Sequence, residues 1–184
     1  MSRTLTVRLA TLADREVLKA LIARSARALS KDDYRPEQVE GALRGAFGVD
    51  SQLIQDGTYF VVEDGAVADG SAIVGCGGWS YRRTLFGGDK RAERDAGELD
   101  PRTDPAKIRA FFVDPAHARR GIGTLLLDKC ESEARARGFS RVELMSTLPG
   151  VRLYSARGYS GVEQVRYEVA PGVAIEFLPM SKSI

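Results

Sequence analysis

The chain has 184 residues, 43% of them hydrophobic, and a formal net charge of +2. That length fits a single domain with a sizeable core, and no second domain or internal repeat is visible in it. A near-balanced charge argues against nucleic-acid binding, which needs a concentrated basic face.

In chain order, Leu5, Val7 and Leu9 alternate with Thr6 and Arg8, which predicts a strand with one buried face. Thr11, with Asp14 three residues on, is a helix start signal. Val17, Leu18, Leu21, Ile22 and Ser25 then recur on one helical face. A polar segment, Leu29 to Arg35, carries one aromatic residue, Tyr34, which either anchors a surface loop or walls a site. A second helix is predicted from Pro36 to Phe47, with Pro36 in its first turn and Val39, Leu43 and Phe47 facing in.

Tyr59 to Glu63 reads as a strand. Asp64-Gly65 begins a turn, but the stretch to Ala72 is too long and polar for a two-residue hairpin. The strand from Ala72 to Tyr81 contains Gly75, Gly77 and Gly78. Glycines in a strand point to a bulge or to a close approach against the backbone. Trp79 and Tyr81 share one face, where they line a substrate pocket or fill the edge of the core. Arg83 to Lys107 offers almost nothing apolar to bury. It reads as a charged, mobile loop insertion over residues 83–107, either functional or merely tolerated.

Ile108 to Val113 is a short apolar run stopped at Asp114-Pro115, which predicts a buried strand and a turn. Gly121 and Gly123 follow. Ile122, Leu125, Leu126, Cys130 and Ala134 then mark the apolar face of a helix that Gly138 ends. The first amides of such a helix lack internal partners and sit at the positive end of its dipole. A phosphate suits that place, with Arg119 and Arg120 beside it, although a glycine-bearing helix start can also serve packing alone. The spacing excludes a Gly-x-x-x-x-Gly-Lys nucleotide loop, and the third glycine of the dinucleotide fingerprint is missing.

Arg141 to Ser146 is predicted as a strand and Val151 to Arg157 as a short helix. Gln164 to Val169 and Val173 to Leu178 make a hairpin across Pro171-Gly172. A strand-helix-strand over Ile108 to Ser146 requires a parallel pair, and the hairpins imply antiparallel ones. The fold class is therefore α/β: a single mixed, mostly antiparallel twisted sheet with a central parallel strand pair and helices on both faces. The two cysteines, Cys76 and Cys130, lie in apolar patterns, as expected of reduced core thiols in a cytoplasmic protein. No stretch approaches a membrane span, and the first residues, Met-Ser-Arg-Thr-Leu-Thr-Val-Arg, hold no apolar signal region. His117 has no Cys or His at ligand spacing, so no metal is expected.

Val-Asp-Pro, then Arg-Arg-Gly-Ile-Gly-Thr-Leu-Leu-Leu, an Ala/Arg-rich helix, Gly-Phe, a strand, and Leu-Tyr-Ser-Ala-Arg-Gly-Tyr together resemble the acyl-CoA-binding core of the GCN5-related N-acetyltransferases. The resemblance covers Ile108 to Tyr159. It implies acetyl-CoA as cofactor, with its pyrophosphate on backbone amides of the Gln/Arg-x-x-Gly-x-Gly/Ala loop. Gly121, Ile122 and Gly123 fill the last three places of that loop. Ala118 stands where the family has Gln or Arg, and Arg119 and Arg120 can replace the lost contact. The cofactor set it implies is Phe111, Phe112, Val113, Arg119, Arg120, Gly121, Ile122, Gly123 and Thr124. An oxyanion would meet strand amides near Phe112 and Val113.

Tyr154 matches the family tyrosine that faces the cofactor sulfur, and a phenol of pKa about 10 can donate a proton to a leaving thiolate. Tyr159 reads as structural. The acceptor pocket is expected to be walled by Tyr34, Trp79, Tyr81 and the 83–107 loop. The residue before the central strand, often acidic in the family, is Lys107. Glu63 and Glu143 are the nearest strand carboxylates, and no base is assigned. The resemblance thus implies an N-acetyltransferase acting by direct attack on a small-molecule or protein amine, as a monomer or homodimer. The alternative is a CoA-binding sensor or assembly module without turnover.

Overall fold

A computed structural model of the chain describes residues 5–65 and 72–184. The polar connection expected after Gly65 falls mostly on residues 66–71, outside the described residues. The strands are β1 (Leu5–Leu9), β2 (Tyr59–Asp64), β3 (Ala72–Ser80), β4 (Ala106–Val113), β5 (Arg141–Thr147), β6 (Val165–Ala170) and β7 (Val173–Ser183). The helices are α1 (Arg15–Leu29), α2 (Pro36–Ala42), α3 (Ser51–Gln55), α4 (Ile122–Ala136) and α5 (Val151–Ala156). The sheet runs β1-β2-β3-β4-β5-β7-β6. Every pairing is antiparallel except β4 with β5, which is parallel. This is the mixed sheet expected from the hairpins and the strand-helix-strand unit.

Two cores lie on opposite faces because strand residues alternate. Phe60 and Val62 join Trp79, Phe139 and the inner face of α4 on one side. Tyr59 and Val61 join Leu18, Leu21, Ile22, Val39 and Leu53 on the other. Each fully buried Leu or Ile there stabilises by about 1.5–3 kcal/mol relative to an exposed one.

The inner face of α4 is Ile122, Leu126, Leu127, Cys130, Glu131 and Ala134. Leu125, expected inside, is 37% exposed, and Val17 of α1 is 50% exposed. Both sit on the flank of their helix's apolar stripe, where periodicity decides least. Glu131 is buried because Tyr159 Oη donates to it at 2.9 Å and Lys182 Nζ pairs with it at 2.8 Å. The second helix stops at Ala42 rather than Phe47, since the Phe47 amide turns back to the Ala42 carbonyl. A short helix, α3, was not expected; the Asp50 side chain caps it by accepting from the Gln52 amide. Strand β7 continues past Leu178 to Ser183 along β5, through a polar stretch with no apolar alternation.

The 83–107 insertion is tied down, which corrects the expected mobile loop. Arg82, just before it, binds Asp56 through two nitrogens and the Ala96 carbonyl through a third. Thr84 and Asp95 bond each other across it, and Leu99 donates to Tyr81 O. The Arg91 guanidinium lies 4.0 Å from the centre of the Phe86 ring. Charged side chains thus replace the missing apolar core of the loop.

Candidate active site

The three glycines of β3 receive neighbouring side chains and backbone. A Cβ on Gly75 would come within 2.4 Å of Ile122, one on Gly77 within 2.7 Å of the Phe111 ring, and one on Gly78 within 2.6 Å of Thr58 O. The β3–β4 register also shifts between Cys76 and Gly78. Bulge and close approach therefore occur together, and the close approach is internal. It seats the start of α4 and the Phe111 ring directly against the sheet.

Opposite this shift, Ala110 takes a left-handed φ of 56°. Such a conformation costs a non-glycine residue about 1–3 kcal/mol, so the surroundings must hold it. Tyr59 Oη does so by donating to Ala110 O at 3.0 Å. Beyond Lys107, β4 has no strand partner on the β5 side among the described residues, because the parallel pairing covers Ala106 with Val142 and Lys107 with Glu143. The two strands splay apart from there. The Asp114 amide donates to Val74 of β3, while the Val113 amide faces the other way and meets Ser25 Oγ at 3.2 Å. By alternation the Phe111 amide faces the open side as well.

The link into α4 is held at both ends. The Asp114 side chain accepts from the Ala116 amide at 2.9 Å and from Arg24 of α1 at 2.9 Å. Arg119 and Gly121 both have left-handed φ, 63° and 81°. Alternating handedness of this kind gathers backbone N–H groups into an anion-binding hollow. Gly121 gives α4 no side-chain cap, and the first helical bond runs from Leu125 N–H to Gly121 O. The amides of Ile122, Gly123 and Thr124 precede that bond, at the positive end of a 15-residue helix. This donor set fits a pyrophosphate.

A cleft of about 670 Å³ runs from this helix start through the β4–β5 splay. Its lining includes Phe111, Phe112, Val113, Arg119, Gly121, Ile122, Gly123, Thr124 and Tyr154, so most of the expected cofactor set comes together with the expected catalytic residue. Arg120 does not line it. Tyr154 stands between Phe111 and Tyr159, with ring centroids 6.3 and 5.7 Å away. Its hydroxyl makes no hydrogen bond to the protein among the described residues, and burial pushes its pKa well above the ordinary phenol value.

The expected acceptor wall is different. Trp79 and Tyr81 are buried on the α4 side of the sheet, Trp79 against Phe139, and do not line the cleft. Tyr34 also lies outside it; its hydroxyl donates to Glu176 O and accepts from the Leu148 amide, tying α1–α2 to the far strands. Of the 83–107 insertion, Leu85, Phe86 and Gly87 reach the cleft. They face Phe47, Phe112, Phe177 and Met145, with Phe86 5.5 Å and Phe47 6.3 Å from Phe177 between ring centroids. Arg109 and Arg152 line the cleft too and were not anticipated. No carboxylate is among the described residues that line it. Glu63 pairs with Arg8 and Glu143 with Lys107, both away from the cleft.

The profile of the acetyltransferase (GNAT) family matches residues 24–159. The chain belongs to that family. No curated protein matches the sequence. Among solved structures, a GCN5-related N-acetyltransferase from Rhodopseudomonas palustris superposes with a TM-score of 0.69 at 20% identity, over 100% of this chain and 99% of that one. The paiA N-acetyltransferase from Thermoplasma acidophilum, solved with coenzyme A, gives 0.64 at 14% identity over 98% and 99%. The yncA acetyltransferase from Salmonella typhimurium, solved with acetyl-CoA, gives 0.62 at 16% identity over 98% and 94%. At these identities the likeness establishes the fold.

Proposed function

We propose that the protein is an acetyl-CoA-dependent N-acetyltransferase that moves an acetyl group to an amine by direct attack. The observation that carries this is one continuous cleft joining the uncapped start of α4 to Tyr154 in the β4–β5 splay. The amides of Ile122 to Thr124, with Arg119 and Arg152 nearby, would hold the pyrophosphate. Acetyl-CoA supplies the thioester; the bond from nitrogen to carbonyl carbon forms and the carbon–sulfur bond breaks.

The chain's own part is positional and protonic. The Phe111 amide, which by alternation faces the splayed side, is a donor for the oxyanion. The Val113 amide, named for that role from the resemblance, is already engaged by Ser25. Tyr154 keeps its proton at neutral pH, because burial opposes the phenolate, and gives it to the departing sulfur. With no carboxylate among the described lining residues, the amine's proton leaves through water or before binding. Incubation with acetyl-CoA and an amine panel, followed by free-thiol release, tests the reading. Binding of acetyl-CoA with no thiol release from any amine would instead support a CoA-binding sensor or assembly module.

A further inference from the structure

Arg109 lies in the middle of β4, 4% exposed, at the acceptor end of the cleft. Its Nη2 donates to Gly87 O at 2.6 Å and approaches Asp50 Oδ2 to 2.8 Å. Asp50 is fully buried and also accepts from Arg94 at 2.7 Å. The Arg109–Asp50 approach is close but poorly aligned, for Asp50 Oδ2 and Arg109 Nε are both left without a hydrogen bond. Among the described residues Arg109 Nη1 makes none either. A buried guanidinium normally has its donors filled, so this one has donors to spare.

The local charge is unbalanced in the same direction. Arg91 and Arg94 both oppose the charge on Arg109, while Asp50 favours it. Among the described residues, the carboxylate paired with Arg91 is the exposed Glu93, at 3.7 Å. Burial and these two neighbours push the Arg109 pKa down to about 10. An anion beside the guanidinium would offset that cost. The cleft that Arg109 lines also carries Leu29, Phe47, Phe86, Phe112, Met145 and Phe177.

We infer that the acceptor is an amine carrying a carboxylate and an apolar side chain, with Arg109 as the residue that selects the carboxylate. This inference deepens the acetyltransferase reading and rests on it. A planar guanidinium with free nitrogens matches a carboxylate in shape as well as charge. The phenylalanines take the side chain. The surplus positive charge also disfavours an ammonium in the cleft, which helps a cleft with no carboxylate among its described lining residues to bind the amine in its neutral, nucleophilic form.

The test compares L-phenylalanine, L-leucine and L-methionine, each with its carboxamide, as acceptors for the wild-type protein with acetyl-CoA. The amide has the less basic amine, so chemistry alone favours it. Recognition by Arg109 should reverse that, raising kcat/KM for the acid at least about tenfold over the amide, the factor expected of one charge-assisted hydrogen bond. In the paired variant Asp50→Asn with Arg109→Gln, which removes both charges together, the ratio should fall to about one or below. Calorimetry on CoA-saturated wild-type protein supplies a readout independent of turnover and of that variant's folding. N-acetyl-L-phenylalanine should bind at least about tenfold more tightly than N-acetyl-L-phenylalaninamide. Equal binding, absent binding of both, or an amide preference in turnover overturns the inference, while thiol release from the amides would leave acetyl transfer standing.

Discussion

Replacing Tyr154 by Phe removes one oxygen and leaves the ring contacts to Phe111 and Tyr159 in place. The hydroxyl has no hydrogen-bond partner among the described residues, so its loss strands no buried group. Stability should change by less than about 0.5 kcal/mol, within the range of an uncoupled substitution. Catalysis should change much more. Losing a positioned proton donor costs about 10²-fold, or about 2.7 kcal/mol of barrier. Because the donation occurs only as the sulfur departs, kcat should fall while the dissociation constant of acetyl-CoA holds. The pH profile separates this role from others. Tyr154 has a folded pKa above its unfolded value, so the neutral form is favoured by folding. Its stabilising contribution is complete below about pH 10 and is lost only as pH rises beyond that. The rate deficit of the Phe variant should therefore stay constant from about pH 6 to 9.5, with no alkaline limb removed. Single-turnover thiol release and calorimetric acetyl-CoA binding, run on both proteins, give the two quantities. Wild-type single-turnover rates in the variant would make Tyr154 a packing residue and leave water as the acid.

Three further outcomes follow from the same geometry. Gly123→Val places a branched side chain whose Cβ would lie 2.8 Å from Leu153, over the helix-start amides; CoA affinity should drop at least about tenfold, and unchanged calorimetric affinity would remove that site. Lys182→Met leaves the buried Glu131 carboxylate without its cation; unfolding should lose about 3 kcal/mol and the Tm roughly 6–12 °C, so a loss under about 1 kcal/mol by denaturant titration contradicts it. The Asp14 carboxyl is held at about 2 by the Arg8 guanidinium, with help from Thr11. A lowered folded pKa contributes stability above the unfolded value of about 3.9 that disappears as pH falls towards 2, so the Tm advantage of wild type over Asp14→Asn should close across that window.

The parts of this molecule readable from the residues are those with local physical causes. The start of α4 was visible because two glycines, a strand stop at Asp114-Pro115 and a 3.6-residue apolar period all sit within thirty residues or so of one another. The parallel pair followed from chain order alone. What failed were inferences about long-range partners. The composition of the insertion offers no core and predicts a mobile loop, yet Arg94 within it finds Asp50 and Arg82 at its start finds Asp56, both from other segments. Trp79 and Tyr81 share a face, as alternation required, but which face meets α4 and which meets the cleft depends on the packing of the whole sheet.

The acceptor end shows why such a site resists sequence reading. Phe47, Phe86, Arg109 and Phe177 come from four separate segments and share no spacing; only the sheet and the folded insertion bring them together. Ala110 is the other concealed element. Its left-handed φ has no signature in Ile-Arg-Ala-Phe-Phe-Val, which reads as an uninterrupted strand. The bond from Tyr59, fifty-one residues away, holds the bend, and without the bend Phe111 and Phe112 would continue the regular alternation of a paired strand. Strain at Ala110 and surplus donors at Arg109 are thus neighbours for one physical reason: the strand gives up regular pairing at the place where it opens a cleft, and the groups so released are the ones left to bind something else.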